Sequence, residues 1–167
     1  MEPVGLIGFG VMGSEAGSKI LEAGYPLYVY DVTKSTIGKA ITMGASPTSS
    51  PADLAGMCSI ILMFLPGPMQ VIDCVSGEEG LLQSASPGAV IVDHSTIDPR
   101  TTAAMASLAA KKKIGYLDAP VLGRPSAVGH WALPIGGEQG ALERCRPVLE
   151  TFSGRIIPVG ESGMGNK

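Results

Sequence analysis

Six residues near the amino terminus have the types and spacing to hold a phosphate. Gly8-Phe9-Gly10-Val11-Met12-Gly13 follows the pattern G-x-G-x-x-G. Each glycine has a separate mechanical reason. Gly8 permits a tight turn, and Gly10 lacks a Cβ, so a pyrophosphate can come close to the backbone. Gly13 lets a following helix pack against its strand. The uncapped N–H groups and positive dipole end of that helix then face the phosphates. Phe9, Val11 and Met12 lie between the glycines and count with them as cofactor-facing. Asp31 comes eighteen residues after Gly13, near the spacing at which a carboxylate accepts both ribose hydroxyls of an adenosine. A carboxylate there also repels a 2′-phosphate, which favours NAD over NADP, although the nearby Lys34 softens the repulsion. Asp31 could instead simply cap the helix that follows it.

The glycine pattern has this meaning only between a strand and a helix, and the flanking sequence supplies both. Val4 to Gly8 is a short apolar run. Met12, Ala16 and Ile20 then recur at helical spacing until Gly24. The alternation continues along the chain. Strands are expected at Leu27–Tyr30, Ile60–Leu65, Ala89–Val92, Gly115–Asp118, near Leu133–Ile135 and at Ile156–Val159, with a small edge strand at Ala45–Thr48. Helices are expected over Lys34–Met43, from Ser50, over Met69–Val75, from Asp98-Pro99 towards Lys113, and over Glu138–Phe152 with an interruption at Pro147. Ile60 to Leu65 is apolar on both faces, as a central parallel strand should be. The expected fold is therefore α/β, a Rossmann-type, doubly wound and mostly parallel sheet with helices on both faces.

Composition narrows the function classes. The chain has 167 residues and a net charge of −3, which gives no electrostatic footprint for nucleic acid. Its longest apolar run is six residues, too short to span a bilayer. The first strand begins at once, so no signal or transit peptide is expected. Three widely spaced cysteines, Cys58, Cys74 and Cys145, make neither a disulfide framework nor a metal site, and they fit a reducing, cytoplasmic compartment. Only 16 % of residues are charged, which points to a surface that meets a partner. Lys111-Lys112-Lys113 reads as a solvated cap at a helix carboxyl end.

Five stretches in order carry a family resemblance: Gly5 to Gly13, Met63-Phe64-Leu65-Pro66, Val92 to Pro99, Asp118 to Gly123, and Gly163-Met164-Gly165. Together they resemble the N-terminal domain of the β-hydroxyacid dehydrogenases, the family of 3-hydroxyisobutyrate dehydrogenase and 6-phosphogluconate dehydrogenase. The resemblance covers essentially the whole chain. It implies that Leu65 and Pro66 contact the cofactor near its riboses, that Thr96 lies beside the nicotinamide ribose, and that Ser95 lies close to substrate. On the bland alternative, Leu65-Pro66 is a strand stop and Ser95-Thr96 a helix approach. The substrate loop departs from the family pattern D-A-P-V-S-G-G. Leu122 replaces a serine that helps hold substrate oxygens, Gly123 is retained, and Arg124 replaces the second glycine. Arg124 presents a fork of donors to a carboxylate, phosphate or sulfonate, or else is a surface arginine. A similar Gly-Arg step occurs in the sulfolactaldehyde-reducing branch. Trp131 is expected to pack under this loop.

The family's catalytic lysine follows Gly163-Met164-Gly165 in the pattern G-x-G-x-x-x-K, which puts it two positions beyond Lys167. The chain itself is thus expected to carry no catalytic residue, and Lys167 would lie on nearly the opposite helix face. Residues 1–160 are expected to form a dinucleotide-binding domain and residues 161–167 the start of an interdomain helix, with an all-helical C-terminal domain outside this chain. The implied whole protein is a homo-oligomeric oxidoreductase that moves a hydride between NAD and a small anionic hydroxy acid or aldehyde. Two other readings remain: an imine reductase-type relative, and a dinucleotide-binding module without catalysis.

Overall fold

The computed structural model describes residues 1–167. Three strands form its centre: β1 (Val4–Ile7), β4 (Ile60–Met63) and β5 (Val90–Asp93). All three are buried along their whole length, because helices cover both faces of the sheet. β2 (Leu27–Tyr30) and β3 (Ser46–Pro47) lie on one side of β1. β6 (Gly115–Asp118), β7 (Trp131–Gly136) and β8 (Ser153–Gly160) lie beyond β5. The order is β3-β2-β1-β4-β5-β6-β7-β8, with every pair parallel except β6–β7. β6 and β7 share a single registered pair, Asp118 with Gly136.

Helices α1 (Val11–Glu22), α2 (Lys34–Thr42) and α6 (Gln139–Leu149) contribute to the core on one face of the sheet. Helices α3 (Pro51–Met57), α4 (Pro68–Ser76) and α5 (Pro99–Lys111) contribute to the core on the other. Local sequence sets their starts. Ser50 Oγ accepts from the Asp53 N–H at 3.0 Å with Pro51 in the first turn. Asp98 Oδ1 accepts from the Thr101 N–H at 2.9 Å before Pro99 opens α5.

The sequence pattern and the fold differ in a few places. α6 runs through Pro147 and ends at Leu149, because buried Cys145, Val148 and Leu149 hold its last turn on the sheet. β4 ends at Met63, before Phe64 and Leu65. Two short 3-10 turns, Leu81–Gln83 and Pro125–Ala127, are additional. Residues 161–167 form consecutive turns, not helix. Those turns are pinned to β6, where Asp118 Oδ1 accepts from the Gly163 N–H at 2.8 Å and Oδ2 from the Asn166 N–H at 3.1 Å. Gly165 has no room for a side chain, since a Cβ would meet the Asp118 carbonyl.

Candidate dinucleotide site

The chain passes from β1 to β2 on one side and later returns to β4 on the other. The crevice at the carboxyl ends of β1 and β4 is therefore the topological switch point, where open α/β sheets bind ligands. A cleft of about 1210 Å³ lies there.

The three fingerprint glycines have distinct surroundings. Gly8 has φ +88°, and a Cβ on it would run into the Phe64 carbonyl. A Cβ on Gly13 would run into the Gly8 carbonyl, so the close helix–strand contact is real. A Cβ on Gly10 would meet nothing within 4 Å. The protein itself does not require glycine at that position, and the space beside it lies in the cleft. Gly10 is also the N-cap of α1 and provides no side-chain cap, and the first turn carries no acidic side chain. The uncapped N–H groups and the dipole therefore face the cleft unopposed. A diphosphate fits this cradle.

Asp31, at the end of β2, lines the same cleft. Its Oδ2 accepts from the Phe9 N–H at 2.8 Å and its Oδ1 from the Thr33 N–H at 2.9 Å. A carboxylate has about four acceptor positions, so two bonds fix its orientation and leave capacity for two hydroxyls. Three more carboxylates, Asp73, Glu78 and Glu79, line this end, while no lysine or arginine does. Lys34 stays outside the lining. Half-buried Tyr30 registers the negative surroundings. Burial, and then Glu79 and other nearby acids, push its phenol upward from its ordinary pKa.

At the other end Leu65, Pro66, Ser95 and Thr96 line the cleft together with Met12, Phe64 and His94. Ser95 is buried, and its Oγ accepts from the Leu65 N–H at 2.9 Å. It thus locks the ends of β4 and β5 together. The Ser95 N–H in turn donates to Asp93 Oδ1 at 2.9 Å, and the Tyr116 hydroxyl donates to Asp93 Oδ2 at 2.8 Å. Burial pushes the Asp93 carboxyl upward, and these hydrogen bonds oppose the shift.

Four residues named from the sequence, Phe9 for the cofactor and three for the substrate, lie outside the lining of this cleft. The Phe9 side chain is buried in the core against α1, and only its peptide serves the site, through Asp31. Leu122, Gly123 and Arg124 are exposed and outside the cleft lining. A Cβ on Gly123 would strike the Trp131 ring, so packing already accounts for this glycine. Trp131 is fully buried and its Nε1–H donates to the Arg124 carbonyl at 2.7 Å, which fixes the loop from beneath. The Arg124 guanidinium has no ionic partner. Sequence reasoning missed Tyr30, Asp73, Glu78, Glu79 and His94. The placement of Pro66-Gly67-Pro68 before α4 was the available signal for the acids, since that helix begins beside the cleft and ends close to Glu78.

Comparison with known proteins agrees with this geometry. Residues 3–160 match the family model described as the NAD binding domain of 6-phosphogluconate dehydrogenase. The chain is 32 % identical over 165 residues to 2-(hydroxymethyl)glutarate dehydrogenase of Eubacterium barkeri, covering 98 % of this chain and 55 % of that protein. The solved 3-hydroxyisobutyrate dehydrogenase of Mycobacterium tuberculosis with L-serine superposes with a TM-score of 0.94 at 27 % identity, over 99 % of this chain and 57 % of that one. An imine reductase from Pseudomonas sp. superposes with a TM-score of 0.86 at 20 % identity, over 98 % of this chain and 57 % of that one, which shows a shared fold alone. The chain spans about half the length of the curated relatives it matches. With the glycine turn, the Asp31 carboxylate beside it and the matched 158 residues in agreement, the chain belongs to the family of NAD binding domains of the 6-phosphogluconate dehydrogenase type.

Proposed function

We propose that the chain is the cofactor domain of an oxidoreductase that transfers a hydride between NAD and a small anionic hydroxy acid or its aldehyde. The observation that carries this reading is Gly10, a glycine that nothing in the protein demands and whose missing side chain leaves room for a pyrophosphate. The acidic rim of Asp31, Asp73, Glu78 and Glu79, with no lysine or arginine beside it, supports NAD over NADP. A 2′-phosphate would meet repulsion from several carboxylates.

The dinucleotide supplies the hydride-carrying carbon. The α1 N–H groups hold its diphosphate, and Asp31 holds its adenosine ribose. Leu65, Pro66 and Thr96 border its nicotinamide ribose. Ser95, Leu122, Gly123 and Arg124 form the substrate side, with the unpaired Arg124 guanidinium receiving the substrate's anionic group. The proton is assigned to the lysine that the family resemblance expects two positions beyond Lys167. On this reading residues 1–160 are the dinucleotide domain, and the interdomain helix continues from the turns at 161–167 into an all-helical domain. Val11, Met69, Leu122 and Met164 are exposed apolar residues on segments that follow strand carboxyl ends, which supports a second domain over that rim and a homo-oligomer. No helix is long and apolar enough to cross a membrane. The buried thiols of Cys58, Cys74 and Cys145, each pushed up to about 12 by burial, suit a reducing cytoplasm.

Two measurements test the proposal. Calorimetric titration of this chain should show NADH binding well ahead of NADPH. In the full-length protein, Arg124→Ala should lower kcat/KM for anionic aldehydes at least tenfold while NADH affinity stays constant, the loss expected for one charge-assisted hydrogen bond. Equal affinity for NADPH, or unchanged kinetics in Arg124→Ala, would refute the corresponding half.

A further inference from the structure

His94 is the one histidine in the cleft wall, and the roles assigned above do not use it. It is 4 % exposed and follows directly on β5. Its surroundings define its chemistry. The ring stacks on Phe64 at a centroid distance of 4.6 Å and an interplanar angle of 20°, and the Phe152 ring meets it edge-on at 5.6 Å. Nδ1 lies 2.7 Å from the Ala119 carbonyl oxygen. A carbonyl only accepts, so Nδ1 must carry the proton. In the neutral ring the other nitrogen is then a bare acceptor. Burial among aromatic rings keeps the ring neutral, with its pKa lowered to about 4. Nε2 is buried and has no hydrogen-bond partner in the protein.

A buried acceptor without a donor is rare in native proteins, and each instance calls for an account. Stacking occupies one face of the ring, Phe152 meets it edge-on, and Ala119 takes Nδ1. What remains is Nε2, on a residue that forms part of the dinucleotide cleft. His94 adjoins Ser95 and Thr96, at the end of the cleft away from Asp31. We infer that Nε2 of His94 accepts a hydrogen bond from an N–H or O–H group on the nicotinamide riboside half of the bound dinucleotide, and so acts as a positioning residue for that half. The inference rests on the cleft being the dinucleotide site. It assigns this histidine a ligand-reading role and not only a structural one. The Ala119 bond contributes to that role by holding the tautomer, as a second partner does for many functional histidines.

The chain has two histidines, which makes the test direct. In the His130→Gln variant, labelled with 15N-histidine, every imidazole signal comes from His94. His130 is exposed and outside the cleft. Without ligand, Nδ1 should appear protonated and Nε2 bare. Saturation with NADH should move the Nε2 resonance upfield with the tautomer unchanged, while AMP should leave it in place. ADP-ribose identifies the donor. A shift with ADP-ribose assigns a ribose hydroxyl, and a shift with NADH alone assigns the carboxamide. A second variant, His94→Asn, keeps an amide donor for Ala119 but removes the distal acceptor. It should weaken NADH about tenfold and leave AMP affinity unchanged. If NADH binds and the Nε2 resonance does not move, or if AMP alone moves it, the inference is wrong while the cofactor assignment stands. If NADH does not bind, the cofactor assignment falls first and this inference falls with it.

Discussion

The Phe9 N–H donates to Asp31 Oδ2 at 2.8 Å, and this bond ties the loop after β1 to the end of β2. One carboxylate thus shapes the glycine loop and also faces the cleft, where the proposed function gives it the adenosine ribose. Asp31→Asn keeps the shape and removes the charge, and it leaves one of the two N–H donors, Phe9 or Thr33, facing an amide NH2 with no acceptor. Native selectivity for NADH over NADPH is expected at about ten- to a hundredfold. The variant should narrow that ratio mainly by weakening NADH. Paired titrations with both cofactors check this.

Gly10 and Gly13 should respond differently to the same change. Gly10→Ala adds a methyl group into open space at a backbone angle, φ −71°, that any residue adopts. Stability should stay within about 0.5 kcal/mol, while NADH affinity falls at least tenfold. Gly13→Ala drives a methyl group into the Gly8 carbonyl, so the fold itself should lose about 1–3 kcal/mol. Urea denaturation beside NADH titration separates the two effects.

Ser95→Ala removes the acceptor for the Leu65 N–H. A buried donor left unpaired costs about 1–3 kcal/mol. The urea midpoint should fall accordingly, and NADH affinity should decline with it because Leu65 borders the cleft. An unchanged midpoint would show that the Leu65 N–H finds another acceptor.

Acid should reveal His94. Burial holds its folded-state pKa at about 4, below the ~6.5 of an exposed imidazole. The unfolded chain therefore takes up this proton first. The stability that the neutral ring contributes is complete above about pH 6.5 and is lost as the pH falls towards 4. Asp93 and Asp118 act in the opposite sense, because burial raises both carboxyls. The difference between wild type and His94→Asn isolates the histidine. Between pH 7 and pH 5 the wild type should lose about 2 kcal/mol more than the variant, as read by urea denaturation at both values.

The sheet was legible because its central strands are short apolar runs buried on both faces, and Ser50 and Asp98 mark their helices with local caps. The glycine turn was legible because Gly8 and Gly13 answer to steric requirements that residue type alone expresses, while Gly10 leaves open space beside the cleft. The acidic rim was not. Asp73, Glu78 and Glu79 are brought beside Asp31 by the crossover from β4 to α4, and the Pro66-Gly67-Pro68 break marks where that helix begins but not which neighbour it meets. Phe9 misled for a related reason. A residue inside a binding motif can offer its peptide to the site and its side chain to the core. The chemistry of His94 was not legible, because the Ala119 carbonyl that fixes its tautomer reaches it only through the fold.

The seam between β6 and β7 has a mechanical consequence. β6 meets β7 through one registered pair and the neighbouring Leu122–Ala132 bridge, whereas β7 and β8 share six pairs. Few backbone hydrogen bonds therefore cross this seam, and Trp131, Leu142 and Phe152 hold it shut through the core they share with the main sheet. The Asp118 carboxylate sits at that seam and accepts from Gly163 and Asn166 in the turns that follow β8. Loosening the seam and releasing the carboxyl-terminal turns are therefore coupled. In native-state hydrogen exchange, the Gly163 and Asn166 amides should exchange together with the seam amides of Leu122 and Ala132.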